Sequence, residues 1–422
     1  MPLSRRALLK AASAVAFSDS ALGLAEKASA RFHGGPEDED YWGQIQQAFT
    51  LDRTVANFNN GGVSPSPRIV LEALKRYQDY SNQAPSYLMW RHLEPEIEHV
   101  RSQLGEFFGV DPEETAIMRN ASEALETCLL GFDLEPGDEF LTTDQDYPRM
   151  ITTLQQHERR HGTKLVQVKV PAAPTSHREI VSAFESGLTS RTKMILVSQV
   201  VFMTGQINPV RQIVALGRRN GIPVIVDGAH AFAQFPFQQK ELDCDYFGTS
   251  LHKWLMAPIG TGMLYVKKSN IKGLWPLMAA PETLDSDIRK YEEIGTHPAA
   301  NHNAIAEALT FNKSIGVARK SERLRSLRRR WTEPLSRFEN VVFHTNLNPA
   351  HSCAICTVQI KGIEPGALAD WLLTKKGIFV TGIEHPSFKG IRVSPNVYTT
   401  LDEIDRLKAA LTEAATSGIP GT

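Results

Sequence analysis

The segment that most restricts how this chain folds is residues 222–253. An apolar run, Ile222-Pro-Val-Ile-Val226, ends in Asp227-Gly-Ala-His230, and Ser250-Leu-His252-Lys253 begins 23 positions after the aspartate. A short apolar run closed by a polar turn reads as a buried strand, and the chain repeats the pattern from about residue 68 to 265. The segment Arg68 to Ser81 is amphipathic, Thr115 to Met118 is a strand, and Ser122 to Phe132 is a helix. Strands at Glu139 to Thr142, Met194 to Val197, Pro223 to Val226 and Gly262 to Val266 follow, with a helix at Val210 to Asn220. Alternating strands and helices predict an α/β fold with a mostly parallel sheet covered on both faces. Ligands of such sheets sit at the carboxyl ends of the strands, where Asp227 and Lys253 fall.

A carboxylate at one strand end and a lysine on the next turn are the pair that pyridoxal phosphate (PLP) chemistry requires. The lysine forms a Schiff base, and the carboxylate keeps the pyridine nitrogen protonated so that the ring accepts electrons from a substrate carbanion. Arg119-Asn-Ala-Ser-Glu123 follows a strand and opens a helix, so Ala121 and Ser122 offer N–H and hydroxyl groups to an anion. Read alone, the same residues are a helix cap. Ser250 and His252 add two donors beside the lysine. With 42% hydrophobic and 22% charged residues and a net charge of −1, the chain has no basic surplus for nucleic acid, and no apolar run suits a bilayer. The expected partner is a small molecule or peptide.

The sequence resembles the class V aminotransferase family of fold type I PLP-dependent enzymes, in particular its isopenicillin N epimerase-like branch. The resemblance is carried by Asn59-Asn-Gly-Gly62, Arg119-Asn-Ala-Ser122, Asp146-Tyr147-Pro148, Asp227-Gly-Ala-His230, Ser250-Leu-His-Lys253, Gly260-Thr-Gly262, Gly295-Thr296 and Ile391-Arg-Val-Ser-Pro-Asn396. It implies that Lys253 is the Schiff-base lysine and Asp227 the partner of the pyridine nitrogen. Tyr147 would stack on the ring, and His230 would lie near its phenolic oxygen. Ala121, Ser122, Ser250 and His252 would hold the phosphate, with Thr296 reaching it across a homodimer interface. Arg392 would clamp a substrate carboxylate, and Asn59 and Asn60 would also bind the substrate. Cysteine desulfurases of this family carry a nucleophilic cysteine just before that arginine. Here the loop reads Thr381-Gly-Ile-Glu-His-Pro-Ser-Phe-Lys-Gly390, without a thiol.

The expected activity is chemistry at the Cα of an amino acid or peptide amine, by epimerisation or transamination. An exported siderophore-peptide tailoring enzyme acting on a glutamyl residue, and a non-catalytic PLP-fold binding protein, are the alternatives.

Four regions are expected: residues 1–30 a twin-arginine signal, 31–67 an N-terminal arm, 68–310 a large PLP-binding domain, and 311–422 a smaller α+β domain. The signal rests on Ser4-Arg5-Arg6-Ala-Leu-Leu-Lys10, an Ala-rich stretch and small-residue cleavage sites after Ala25 or Ala30, and implies a periplasmic location. The acidic stretch from His33 to Thr50 reads as an exposed arm. Ala299 to Leu335 reads as one long helical pattern whose basic cluster, Arg319 to Arg330, forms a solvated face. Cys353-Ala-Ile-Cys356 is half of a redox or zinc motif but sits in a β-branched run without a second half, so core cysteines are expected and no metal.

Overall fold

A computed structural model describes residues 35–420. The expected export signal, with Arg5 and Arg6, lies outside the described residues. In chain order the strands are β1 (Ala56–Asn57), β2 (Thr115–Met118), β3 (Glu139–Thr143), β4 (Lys164–Val168), β5 (Thr192–Ser198), β6 (Val224–Asp227) and β7 (Tyr246–Ser250). They continue with β8 (Gly262–Val266), β9 (Val341–Phe343), β10 (Cys356–Ile360), β11 (Ile378–Phe379), β12 (Thr381–His385) and β13 (Phe388–Val393).

The large sheet has seven strands in the order β2-β8-β7-β6-β5-β3-β4. Only β8 runs against its neighbours; β7, β6, β5, β3 and β4 are parallel in turn. Side chains alternate along each strand, so Val224 and Val226 join the core on one face while Ile225 joins the core on the other. Burial on both faces is why these strands read as unbroken apolar runs. The parallel arrangement places the ends of β3, β5, β6 and β7 along a single edge.

The smaller sheet is antiparallel, β12-β13-β10-β9, and packs with helices Pro365–Lys376 and Leu401–Ser417 around its own core of Val358, Leu372, Ile391 and Leu407. Thr400 caps the last helix with Glu403 in a capping box. β1 pairs in parallel with β11, and Asn59 bridges to Ser394, so the chain before residue 60 is tied to the C-terminal part.

Three local expectations are corrected. The stretch from His33 to Thr50 is not an exposed arm over its described part: Glu39–Gln46 is a helix capped by Asp38, and Tyr41, Trp42 and Ile45 are fully buried. The pattern from Ala299 to Leu335 is three helices, Ala299–Asn303, Ile305–Ile315 and Val317–Leu335, the last two separated by Gly316 in the left-handed region at φ 83°. The basic cluster is not uniformly solvated. Arg323 is fully buried, donating to the Pro36 carbonyl and to Glu39, so the acidic and basic runs cover one another. Cys353 and Cys356 are buried core residues, as are Cys128 and Cys244.

Candidate active site

The strand edge opens into a cavity of 790 Å³. Lys253 and Asp227 both face it, as do His230, His252, Ser250 and Tyr147, the helix start Ala121 and Ser122, and Arg392 from the smaller sheet. Nine of the twelve residues expected at the site therefore share one space.

Asp227 ends β6, where its Oδ1 accepts from the Ala229 N–H at 2.9 Å. Burial pushes its carboxyl up to about 6, against the hydrogen bond from Ala229 and the charge of Lys253, which favour the ionised form. Lys253 lies beyond β7, with its Nζ 3.3 Å from His230 Nε2. Burial lowers its amine to about 8; Asp227 opposes that shift and Arg392 adds to it. A lysine depressed this far supplies neutral amine near physiological pH. Burial and then the Lys253 and Arg392 charges hold His230 well below its ordinary value, so it is a neutral imidazole.

One end of the cavity is built where β7 meets the helix Ala121–Leu130. Asn120 caps this helix by accepting from the Glu123 N–H at 3.0 Å, and the Ala121 N–H donates to Ser250 Oγ at 2.9 Å. Gly262 permits this approach, because a Cβ there would lie 2.6 Å from the Asn120 backbone. His252 reaches the same region, and burial lowers its ring to about 4.

Arg392 stands on β13 and is only 6% exposed. Its Nη1 donates to the Phe202 carbonyl at 2.9 Å and its Nη2 to Asn59 Oδ1 at 2.7 Å. It forms no ion pair among the described residues, and burial lowers its guanidinium to about 10. Gly61 leaves room beside it: a Cβ there would be 3.5 Å from both the Arg392 guanidinium carbon and His230 Cε1.

The other three expected residues do not line the cavity of a single chain. Asn59 holds Arg392 from outside the cavity lining. Asn60 is fully buried, donating to the Asn57 and Ser394 carbonyls and accepting from the Tyr398 hydroxyl. Thr296 is exposed on the loop before Ala299 and does not line the cavity of a single chain.

Asp146 was not singled out, although it precedes Tyr147. Its buried carboxylate accepts from the Thr142 and Thr143 hydroxyls at 2.6 and 2.7 Å, the Thr143 N–H at 2.9 Å, and the Ser198 hydroxyl and N–H at 2.6 and 3.0 Å. This knot ties the end of β3 to the end of β5 and fixes the backbone that presents Tyr147. The Tyr147 ring meets Phe202 edge-on at 5.4 Å. Phe202 thus touches both the expected stacking residue and, through its carbonyl, Arg392. No local pattern could have disclosed these partners, which are distant in sequence.

The residues present fit PLP on a structural ground beyond their identities. Among the described residues, His230 Nδ1, His252 Nδ1 and Arg392 Nε are buried without hydrogen-bond partners. Buried polar atoms ordinarily have partners, and three such atoms around one cavity suit a polar ligand with anionic groups. The hairpin expected to lack a thiol forms one wall through Thr381, Ile383, Glu384 and His385, and no cysteine lines the cavity.

The sequence model of the family described as Aminotransferase class-V matches residues 56–407. Isopenicillin N epimerase of Streptomyces clavuligerus is 28% identical over 387 residues, covering 88% of this chain and 97% of that protein. A probable cysteine desulfurase of Vibrio cholerae is 24% identical, covering 84% of this chain and 92% of that protein. Among solved structures, the apo cysteine desulfurase of Thermococcus onnurineus superposes with a TM-score of 0.79 at 22% identity, covering 88% of this chain and 98% of that chain. A cystine C–S lyase complexed with cysteine persulfide superposes with a TM-score of 0.77 at 22% identity, covering 86% of this chain and 98% of that chain.

Proposed function

Because the chain belongs to the class V aminotransferase family, we propose that it is a PLP-dependent enzyme acting at the Cα of an amino acid or peptide amine, by epimerisation or transamination. One observation carries the reading: Lys253, Asp227 and an ion-pair-free Arg392 face a single cavity. PLP bound there supplies an electron sink for negative charge developing at Cα. Lys253 would hold the cofactor and later take or return the Cα proton, a task suited to an amine lowered to about 8. Asp227 would hold the pyridine nitrogen as its cation. Ser250, His252 and the N–H and hydroxyl groups at Ala121 and Ser122 would hold the phosphate. Arg392 would orient the substrate through a carboxylate, positioned by Asn59 and Phe202.

The choice of proton return site separates the two outcomes. Epimerisation needs delivery to the opposite face of Cα, transamination delivery to the cofactor. Desulfuration is disfavoured because the wall where the family resemblance implies a desulfurase's cysteine presents Glu384 and His385, and the four cysteines are buried. A glutamyl residue of a peptide with its α-amine free is the second reading, and the cavity of 790 Å³, within the ordinary range of small-ligand sites, accommodates either it or a free amino acid. The non-catalytic alternative is disfavoured by the presence of Lys253.

The test is exchange of the Cα proton with deuterium from solvent, followed by NMR across amino acids and short peptides, with and without a 2-oxo acid. Exchange with inversion supports the epimerase branch, and exchange with consumption of the oxo acid supports the transaminase branch. Complete failure of exchange by PLP-loaded protein across both substrate classes would count against the proposal.

A further inference from the structure

Directly after Lys253 the chain turns through Trp254, Leu255 and Met256, all fully buried. Met256 is held at φ 60°, a left-handed conformation that a residue with a side chain keeps only where its surroundings over-determine it. Two side chains, from helices Ile305–Ile315 and Val317–Leu335, grip this turn. Lys320 donates from Nζ to the Trp254 carbonyl and, at 2.9 Å, to Asn312 Oδ1. Asn312 in turn donates from Nδ2 to the Leu255 carbonyl at 2.8 Å and to the Ala308 carbonyl at 2.9 Å. Lys320 is 0% and Asn312 1% exposed, and neither lines the cavity.

A fully buried lysine whose hydrogen-bond acceptors are an amide oxygen and a peptide carbonyl is an expensive way to fill a core. A neutral amine has two N–H bonds, and here there are two acceptors. Burial depresses Lys320 to about 7, which accords with that count. The arrangement satisfies two carbonyls that a tight turn would otherwise leave buried and orphaned.

We propose that Lys320 and Asn312 are positioning residues: by fixing the carbonyls of the two residues after Lys253, they set how the Lys253 amine enters the cavity. The inference rests on the reading of Lys253 as the cofactor lysine.

The test compares Lys320→Met, Asn312→Ser and a control, Leu407→Ala, which empties the remote small core at a fully buried site. Two quantities are read on PLP-loaded protein: the pH profile of the bound cofactor's visible absorbance, and hydrogen exchange of the peptide spanning residues 251–257. Both clamp variants should still yield borohydride-trapped cofactor on Lys253. Their absorbance midpoint should move by about half a pH unit or more, and the peptide should exchange about tenfold faster or more. The control should lose stability without either change. Absorbance profiles and exchange rates matching wild type, or reproduced by the control, would overturn the proposal, as would failure of both clamp variants to fold. If wild-type protein attaches no PLP at Lys253, the functional reading falls by itself, and the exchange measurement on cofactor-free protein still decides whether the clamp exists.

Discussion

Lys253 is nucleophilic only as the neutral amine, so its proton affinity sets when the site can take up a cofactor. An ordinary lysine would be almost wholly protonated at neutral pH, whereas burial brings this one to about 8. Covalent attachment of PLP to cofactor-free protein should therefore accelerate as pH rises and level off above about 8. The neighbours give the sign of two further shifts. Arg392 repels the ammonium, so Arg392→Met should move the midpoint up; Asp227 attracts it, so Asp227→Asn should move the midpoint down. Stopped-flow absorbance across pH checks all three proteins. A wild-type midpoint near the ordinary lysine value, or shifts of opposite sign, would contradict this electrostatic account. Among residues, Asp227 and Lys253 were the most legible, because each stands where a buried strand ends. Asp146 was not, since its hydroxyl partners on β3 and β5 become visible only when those strands are paired.

At the scale of elements, the packing of β6 against β7 makes its own prediction. Gly228 follows Asp227 at the end of β6, and a Cβ added there would lie 1.9 Å from the Phe247 ring. Gly228→Ala must therefore push the ring into the core or lift the strand end that carries Asp227. Overpacking of this kind costs about 1–3 kcal/mol, and displacement of Asp227 should weaken PLP binding as well. Gly366, in helix Pro365–Lys376, has nothing within 4 Å of its added Cβ, so Gly366→Ala should leave stability unchanged or raise it by about 0.4–1 kcal/mol. Urea unfolding of the two variants gives the comparison, and equal stability would show that β6 yields without cost. The central strands were readable because burial on both faces leaves an unmistakable apolar run. The edge strand β4 carries no such run: Lys164 and Gln167 are exposed, and the pattern is that of a half-wet surface. The break at Gly316 was also missed, although a glycine between two amphipathic stretches is the usual mark of a left-handed helix end.

At the scale of the whole molecule, long-range pairing decided what local pattern could not. The acidic run before Tyr41 and the basic helix after Val317 each read as solvated, yet Arg323 joins them through Glu39 and the Pro36 carbonyl. The proposed export rests on the sequence alone, on Arg5, Arg6 and the small residues before Arg31. Residues 1–35 fused to a reporter active only after folded export should deliver it, and Arg5→Lys/Arg6→Lys should abolish delivery. Equal retention of both fusions in the cytoplasm would sink the proposal. One chain exposes the large apolar residue Ile259 at 70%. Ile259 lies on the turn after Lys253, and its carbonyl accepts from Asn301 at 3.0 Å, which places it beside the segment carrying the exposed Thr296. We propose a homodimer across this face, with Thr296 reaching the partner's site as the family resemblance implies. Sedimentation velocity should then give twice the mass of one chain, and Ile259→Asp should reduce it to one. Thr296→Val should keep the dimer but weaken PLP affinity about 10- to 100-fold, the worth of one hydrogen bond to a charged group. A dimer whose PLP affinity is indifferent to Thr296→Val would place the phosphate wholly within one chain, and a wild-type monomer that binds PLP normally would remove the need for the interface.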